Sequence, residues 1–198
     1  ELGVPGAAGA NVHLTDHELA GVLSFFLTDG PPDEPLLQAA ASGALATTAG
    51  VGSQVDRLLS MPSAQLNLQQ AMLTYFGIGN LDAVVIDPAK APTFTVGLKN
   101  AMYRETEEFL HTTLSSGPLG DLLTSRKTVV NADLAALYGV AFPAGQSTAS
   151  DNFVAVELPA GRAGLLTQAG FLTARARPDK DSVVARGFDL HGEPVTIE

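Results

Sequence analysis

Residues 93–114, TFTVGLKNAMYRETEEFLHTTL, decide how this 198-residue chain is read. Phe94, Leu98, Ala101, Met102, Glu105, Phe109 and Leu110 recur at the spacing of one helical face, which predicts a helix of about six turns. Gly117-Pro118 ends it. An element of that length with an apolar stripe makes a natural centre for a core, and shorter helices flank it on both sides.

Upstream, Thr15-Asp16-His17-Glu18 has the form of a capping box, and Leu19, Val22, Leu23, Phe26 and Leu27 fall on one stripe before Asp29-Gly30-Pro31-Pro32. Asp33 and Glu34 lead a second helix through Leu36, Leu37 and Ala40 to Ser42-Gly43. A third is predicted over about 52–60, and a fourth over 64–76 with Ser63 as its N-cap. Residues 81–92, LDAVVIDPAKAP, read as a Pro-punctuated connector. Downstream, 119–123 form one turn, and Asn131 caps a short helix ending at Gly139. Phe153 to Glu157 alternates like a strand, and 164–174 read as a helix weakened by Gly170.

The fold class is therefore mainly α: an irregular bundle around the 93–114 helix, with at most a short strand near 153–157. A tail at 1–12, a helical domain at 13–140, a loop or boundary at 141–152, a C-terminal subdomain at 153–187 packed on the helical domain and a tail at 188–198 complete the organisation. The chain starts at Glu1 rather than Met, as expected of a processed or excised product.

Composition excludes several classes of function. Forty-five per cent hydrophobic residues and a mean hydropathy of +0.18 are too apolar for a disordered chain, yet Gly and Pro interrupt every run before it could span a membrane. Eleven Lys and Arg against 21 Asp and Glu leave a net charge of −10, which repels nucleic acid and favours basic partners. With no Cys there is no covalent haem, thiolate metal site or thiol nucleophile, so any haem would belong to a partner or to sequence outside this stretch. Hydrolase and phosphate-binding motifs are missing.

Four His leave few metal candidates. His13 and His17 stand four residues apart but straddle the capping box at Thr15, and so do not converge as a helical ligand pair does. Glu108 and His111 have the Glu-x-x-His spacing of dinuclear carboxylate bundles, but a second copy is missing and no metal site is expected. Arg104, Glu107, Glu108 and His111 then read as a solvated face, with Arg104 pairing Glu107 or Glu108.

Several segments in order resemble one family: LTDHELAGVLSFFLTDGPPDEPLLQAAASGAL (14–45), QVDRLLSMPSA (54–64), FGIGNLDAV (76–84), LKNAMYRETEEFLHTTL (98–114), LGDLLTSRKTVVNADLAALYGV (119–140) and FVAVELPAGRAGLLTQAGFLTARARPDKDSVVARG (153–187). They are similar to adjacent bacterial domains of unknown function in large secreted planctomycete and myxobacterial proteins that also carry c-type cytochrome modules. Thr28 stands where that family has Trp, and Tyr75-Phe76-Gly77-Ile78 where it has Trp-Leu-Gly-Leu. The resemblance implies an extracytoplasmic bacterial setting, periplasmic or secreted, and supplies no catalytic positions. Residues at its charged or polar positions are Arg57, Arg104, Glu105, Arg126, Asn131 and Arg186. Asn131 reads as a cap, and Arg104 with Glu105 either as a buried ion pair or as the lining of a cleft.

Two functions follow as expectations. One is a non-catalytic docking or scaffold domain of a cytochrome-associated redox protein or complex, with a protein partner that could itself be a cytochrome. The other is an extracellular enzyme or ligand binder acting on a glycan or small molecule through a carboxylate cleft, with Glu105 and Glu108 joined by Asp133 or Asp151.

Overall fold

A computed structural model describes residues 13–85, 89 and 91–175. The chain divides into two compact units, Glu1–Leu68 and Gln69–Glu198. The division falls within a helix, and the 141–152 loop lies inside the second unit.

The first unit opens with α1 (Asp16–Thr28), α2 (Glu34–Ala41), α3 (Thr48–Leu59) and the start of α4 (Pro62–Tyr75). The capping box forms as read: Thr15 Oγ1 accepts from the Glu18 amide, and the Glu18 carboxylate accepts from the Thr15 amide and hydroxyl. Asp33 caps α2 and also takes a two-pronged ion pair from Arg57 of α3, with Nη1 at 2.7 Å and Nη2 at 2.8 Å. The core of this unit is small: Ala20, Leu36, Ala39, Ala40, Leu45 and Leu58. The third helix begins earlier than the periodicity predicts, because Thr47 caps it. A Cβ on Gly50 would fall 1.9 Å from the Ala44 carbonyl, so only glycine lets α3 lie against the turn at Ala44–Ala46. Pro62, not Ala64, opens α4. Ser63 is therefore inside the helix rather than its cap, and Pro at the first position suits a turn whose amides are unpaired anyway.

In the second unit, α5 (Val96–Ser116) is the centre. It starts three residues later than read, where the Thr95 side chain caps it, and buries Leu98, Ala101, Met102, Phe109 and Leu110. A 3-10 segment at Ile78–Ala83 precedes it, occupying the start of what read as a connector; 86–88 and 90 lie outside the described residues. After α6 (Asp121–Thr124) the chain forms β1 (Lys127–Val130), α7 (Ala132–Tyr138) and β2 (Val154–Glu157). The two strands pair antiparallel, Thr128 opposite Val156 and Val130 opposite Val154, so the strand read at 153–157 has a partner that was not anticipated. The 164–174 stretch is not one helix. Gly164 has φ +68° and a 3-10 turn follows at Leu165–Thr167, before α8 (Ala169–Ala174) packs on α5. A Cβ on Gly164 would lie 2.4 Å from the Leu123 backbone, which is why this bend carries glycine.

Candidate functional site

Glu105 sits on the buried stripe of α5, between Met102 and Phe109, and is 0% exposed. Oε1 accepts from the Thr128 hydroxyl of β1 at 2.9 Å, and Oε2 from the Tyr138 hydroxyl of α7 at 2.6 Å. The Tyr138 oxygen in turn accepts from the Ala169 amide at the start of α8, at 2.8 Å. One carboxyl therefore ties four elements together. Burial pushes its pKa up to about 7, against the pull of the two hydroxyl donors and the Arg162 charge. Burial and the neighbouring carboxyl push the Tyr138 phenol upward too. Arg162 stacks over the Tyr138 ring at 4.9 Å and donates to the Thr167 carbonyl. Gln168, next in sequence to Ala169, is buried with neither amide atom hydrogen-bonded among the described residues.

Fully enclosed and doubly bonded, Glu105 offers no free oxygen to a substrate and acts as a clamp. It bonds to hydroxyls and not to Arg104, so the buried ion pair, one of the two readings of Arg104 with Glu105, does not form. Arg104 is exposed, its guanidinium 4.7 Å over the Phe153 ring, and among the described residues it forms no ion pair with Glu107 or Glu108. The other carboxylates of the cleft reading lie apart. Glu108 borders a cavity of about 420 Å³ with Asp121, Lys127 and Thr128, whereas Asp133 borders a separate one of about 510 Å³ with Thr93 and Thr95. Asp151 is exposed on the 141–152 loop.

His13 and His17 are exposed on either side of the α1 cap, and His111 is exposed on α5. Among the described residues no three His, Asp or Glu gather as a metal site. Arg126 donates to the Leu158 carbonyl and meets Glu157 at 3.3 Å, binding the start of β1 to the end of β2. Asn131 caps α7 through its side-chain oxygen and donates to the Ser150 carbonyl. Arg186 lies outside the described residues.

The first unit carries a different feature. Helix α1 buries Ala20 and Ser24, with Leu19, Leu23 and Leu27 against the core, but leaves Val22 46%, Phe25 58% and Phe26 77% exposed. The sequence stripe placed Val22 and Phe26 inside. The buried face is instead centred on the small residues that let α1 approach α2 closely.

The sequence singles out neither Tyr138, within the short helix ending at Gly139, nor Thr128 as a partner of Glu105. Their signal was the place of Glu105 within the apolar stripe itself, which demands buried donors from other elements. Phe25 went unnoticed because it falls off the stripe.

No curated protein and no solved structure matches the chain. A family model described as a protein of unknown function, DUF1592, matches residues 14–140, a span that holds the exposed α1 face, Glu105 and both of its hydroxyl partners. That span is well over half of the sequence, and the chain belongs to the DUF1592 family.

Proposed function

We propose that this domain docks protein partners within an extracytoplasmic, cytochrome-associated redox protein or complex, and does no chemistry of its own. The observation that carries the reading is the α1 face, where two phenylalanines and a valine stand in solvent on a well-capped helix. Exposed aromatic residues of this kind mark interaction surfaces. The net charge of −10 favours a basic partner. The extracytoplasmic setting and the cytochrome rest on the resemblance set out above. The carboxylate-cleft reading has less support, because Glu105 is enclosed and Glu108 and Asp133 border different cavities.

The test is site-specific photo-crosslinking in the exporting bacterium, with a photoreactive amino acid in place of Phe26 or, as a control, of exposed Leu123. A discrete haem-staining adduct from position 26 alone is expected. A monomer without adducts, or the same adducts from both positions, overturns the reading.

A further inference from the structure

The two-stranded sheet of the second unit has a free edge, and that edge lies along a cavity. The Leu158 amide donates to the Arg126 carbonyl, and in an antiparallel ladder the main-chain groups of successive residues point to alternate sides. Thr128 and Val130 therefore turn theirs toward β2, while Lys127 and Val129 turn theirs away from it. There the Lys127 amide reaches the Ser125 hydroxyl at 3.3 Å. The Lys127 carbonyl and both main-chain groups of Val129 have no hydrogen-bond partner among the described residues.

The cavity of about 420 Å³ that Glu108 borders runs past this edge. Phe109 and Thr113 of α5 bound it on the inner side of the sheet, the side on which the Thr128 hydroxyl meets Glu105. Val129 and Ala155, opposite each other in the ladder, bound it as well. A space lined both by α5 and by the two strands passes around β1, whose other side β2 closes. A donor and an acceptor on one residue, with a second acceptor two residues before it, form the pattern that a further strand completes. The spacing, about 7 Å over two residues, is that of an extended main chain.

Charge narrows the choice of occupant. Glu108 and Asp121 border the same cavity, and neither forms an ion pair among the described residues, whereas Lys127 stands opposite Glu157 across the ladder. The unmatched charge is negative. A second copy of the chain brings a net charge of −10 of its own and fits less well than a basic segment.

We infer that β1 takes an extended, basic segment of a partner protein as a third strand. Its main chain bonds to Lys127 and Val129, and a Lys or Arg lies beside Glu108 and Asp121. This site belongs to the second unit and goes beyond the α1 docking face.

The test selects binders of the full chain from a displayed library of random peptides of about nine residues. Pro-free sequences rich in Val, Ile and Thr and carrying a Lys or Arg are expected, with binding that weakens as salt rises. N-methylation of alternate amides of the selected peptide should lower affinity at least about tenfold more than N-methylation of the intervening ones. In hydrogen exchange followed by nuclear magnetic resonance, the Val129 amide should be open in the free chain and protected at least about tenfold by the peptide. Glu108→Gln with Asp121→Asn should erase the preference for Lys over neutral norleucine at the basic position. Val129→Pro removes the edge donor but no bond to β2, a change that edge strands tolerate, and should abolish binding while the chain still melts cooperatively.

A selection without binders, or a binder indifferent to N-methylation, overturns the proposal. So does a Val129 amide already protected in the free chain. Protection at every concentration would make the occupant the chain's own residues, and protection that grows with concentration would make it a second copy. None of these results bears on the Phe26 crosslink, which tests the first unit.

Discussion

Replacing Glu105 by Gln removes a titration whose consequence can be worked out in advance. In the folded chain the carboxyl holds its proton up to about pH 7, against an ordinary value of 4.5, because ionising it inside the core costs more than the Thr128 and Tyr138 hydroxyls return. The folded pKa is the higher one, so the stabilisation is complete below pH 4.5 and is lost as pH rises through about 7. At 1.36 kcal/mol per pKa unit, the loss is about 3 kcal/mol. The substituted amide does not titrate. It can still accept from Tyr138 through its carbonyl and donate to the Thr128 oxygen, as the protonated carboxyl does. The stability of the natural chain minus that of Glu105→Gln should therefore fall by about 3 kcal/mol between pH 4.5 and 8. His titrations cancel in the difference. The assay is urea unfolding followed by tyrosine fluorescence, which reports the second unit alone, because Tyr75, Tyr103 and Tyr138 all lie there and the chain has no Trp. A difference that stays level across this pH range would refute the account of Glu105 as a buried, proton-holding clamp.

Tyr138→Phe removes the hydroxyl shared by Glu105 and the Ala169 amide; about 1–3 kcal/mol of stability should go, and tyrosine-free probes such as far-ultraviolet dichroism should show the pH-dependent loss extending to higher pH. Gly164→Ala places a Cβ against the Leu123 backbone at positive φ, and thermal melts should show a loss of at least about 2 kcal/mol. Arg57→Ala breaks a half-exposed ion pair that holds the Asp33 carboxyl below its ordinary range, a contribution present at neutral pH and lost as pH falls through that depressed value. Acid titration of the variant should therefore show a shallower acid limb, with about 1 kcal/mol or less lost at pH 7.

Local signals in the sequence carried most of the helices. Thr15-x-x-Glu18, Asp33 and Asn131 each announced a helix start by chemistry confined to four residues, and each cap forms. Strand β1 was illegible because Lys127–Val130 is four residues long and becomes a strand only through a partner 24 or more residues later. Glu105 was half legible. Its place on the apolar stripe was plain, but its neighbours Arg104, Glu107 and Glu108 made the run look solvated, and the donors that satisfy it come from elements remote in sequence. The exposure of Phe26 could not be read at all, since a hydrophobic stripe states which residues share a side, not how wide a strip the neighbouring helices cover.

Strand β1 and the Tyr138 hydroxyl bear on how the DUF1592 region can be inherited. The family match stops at residue 140, yet the strand that completes β1 is 154–157, the amide that completes the Tyr138 bridge is Ala169, and Leu158, Leu165 and Phe171 fill the core around α5. A gene rearrangement that carried 14–140 to a new neighbour without 153–174 would leave a bare strand edge and an open core. A break in the chain at 140 would therefore cost stability on both sides of it. The two stretches therefore form one structural piece, and the 141–152 loop between them is itself tied in, through Phe142 against the core and the Ser150 carbonyl that accepts from Asn131.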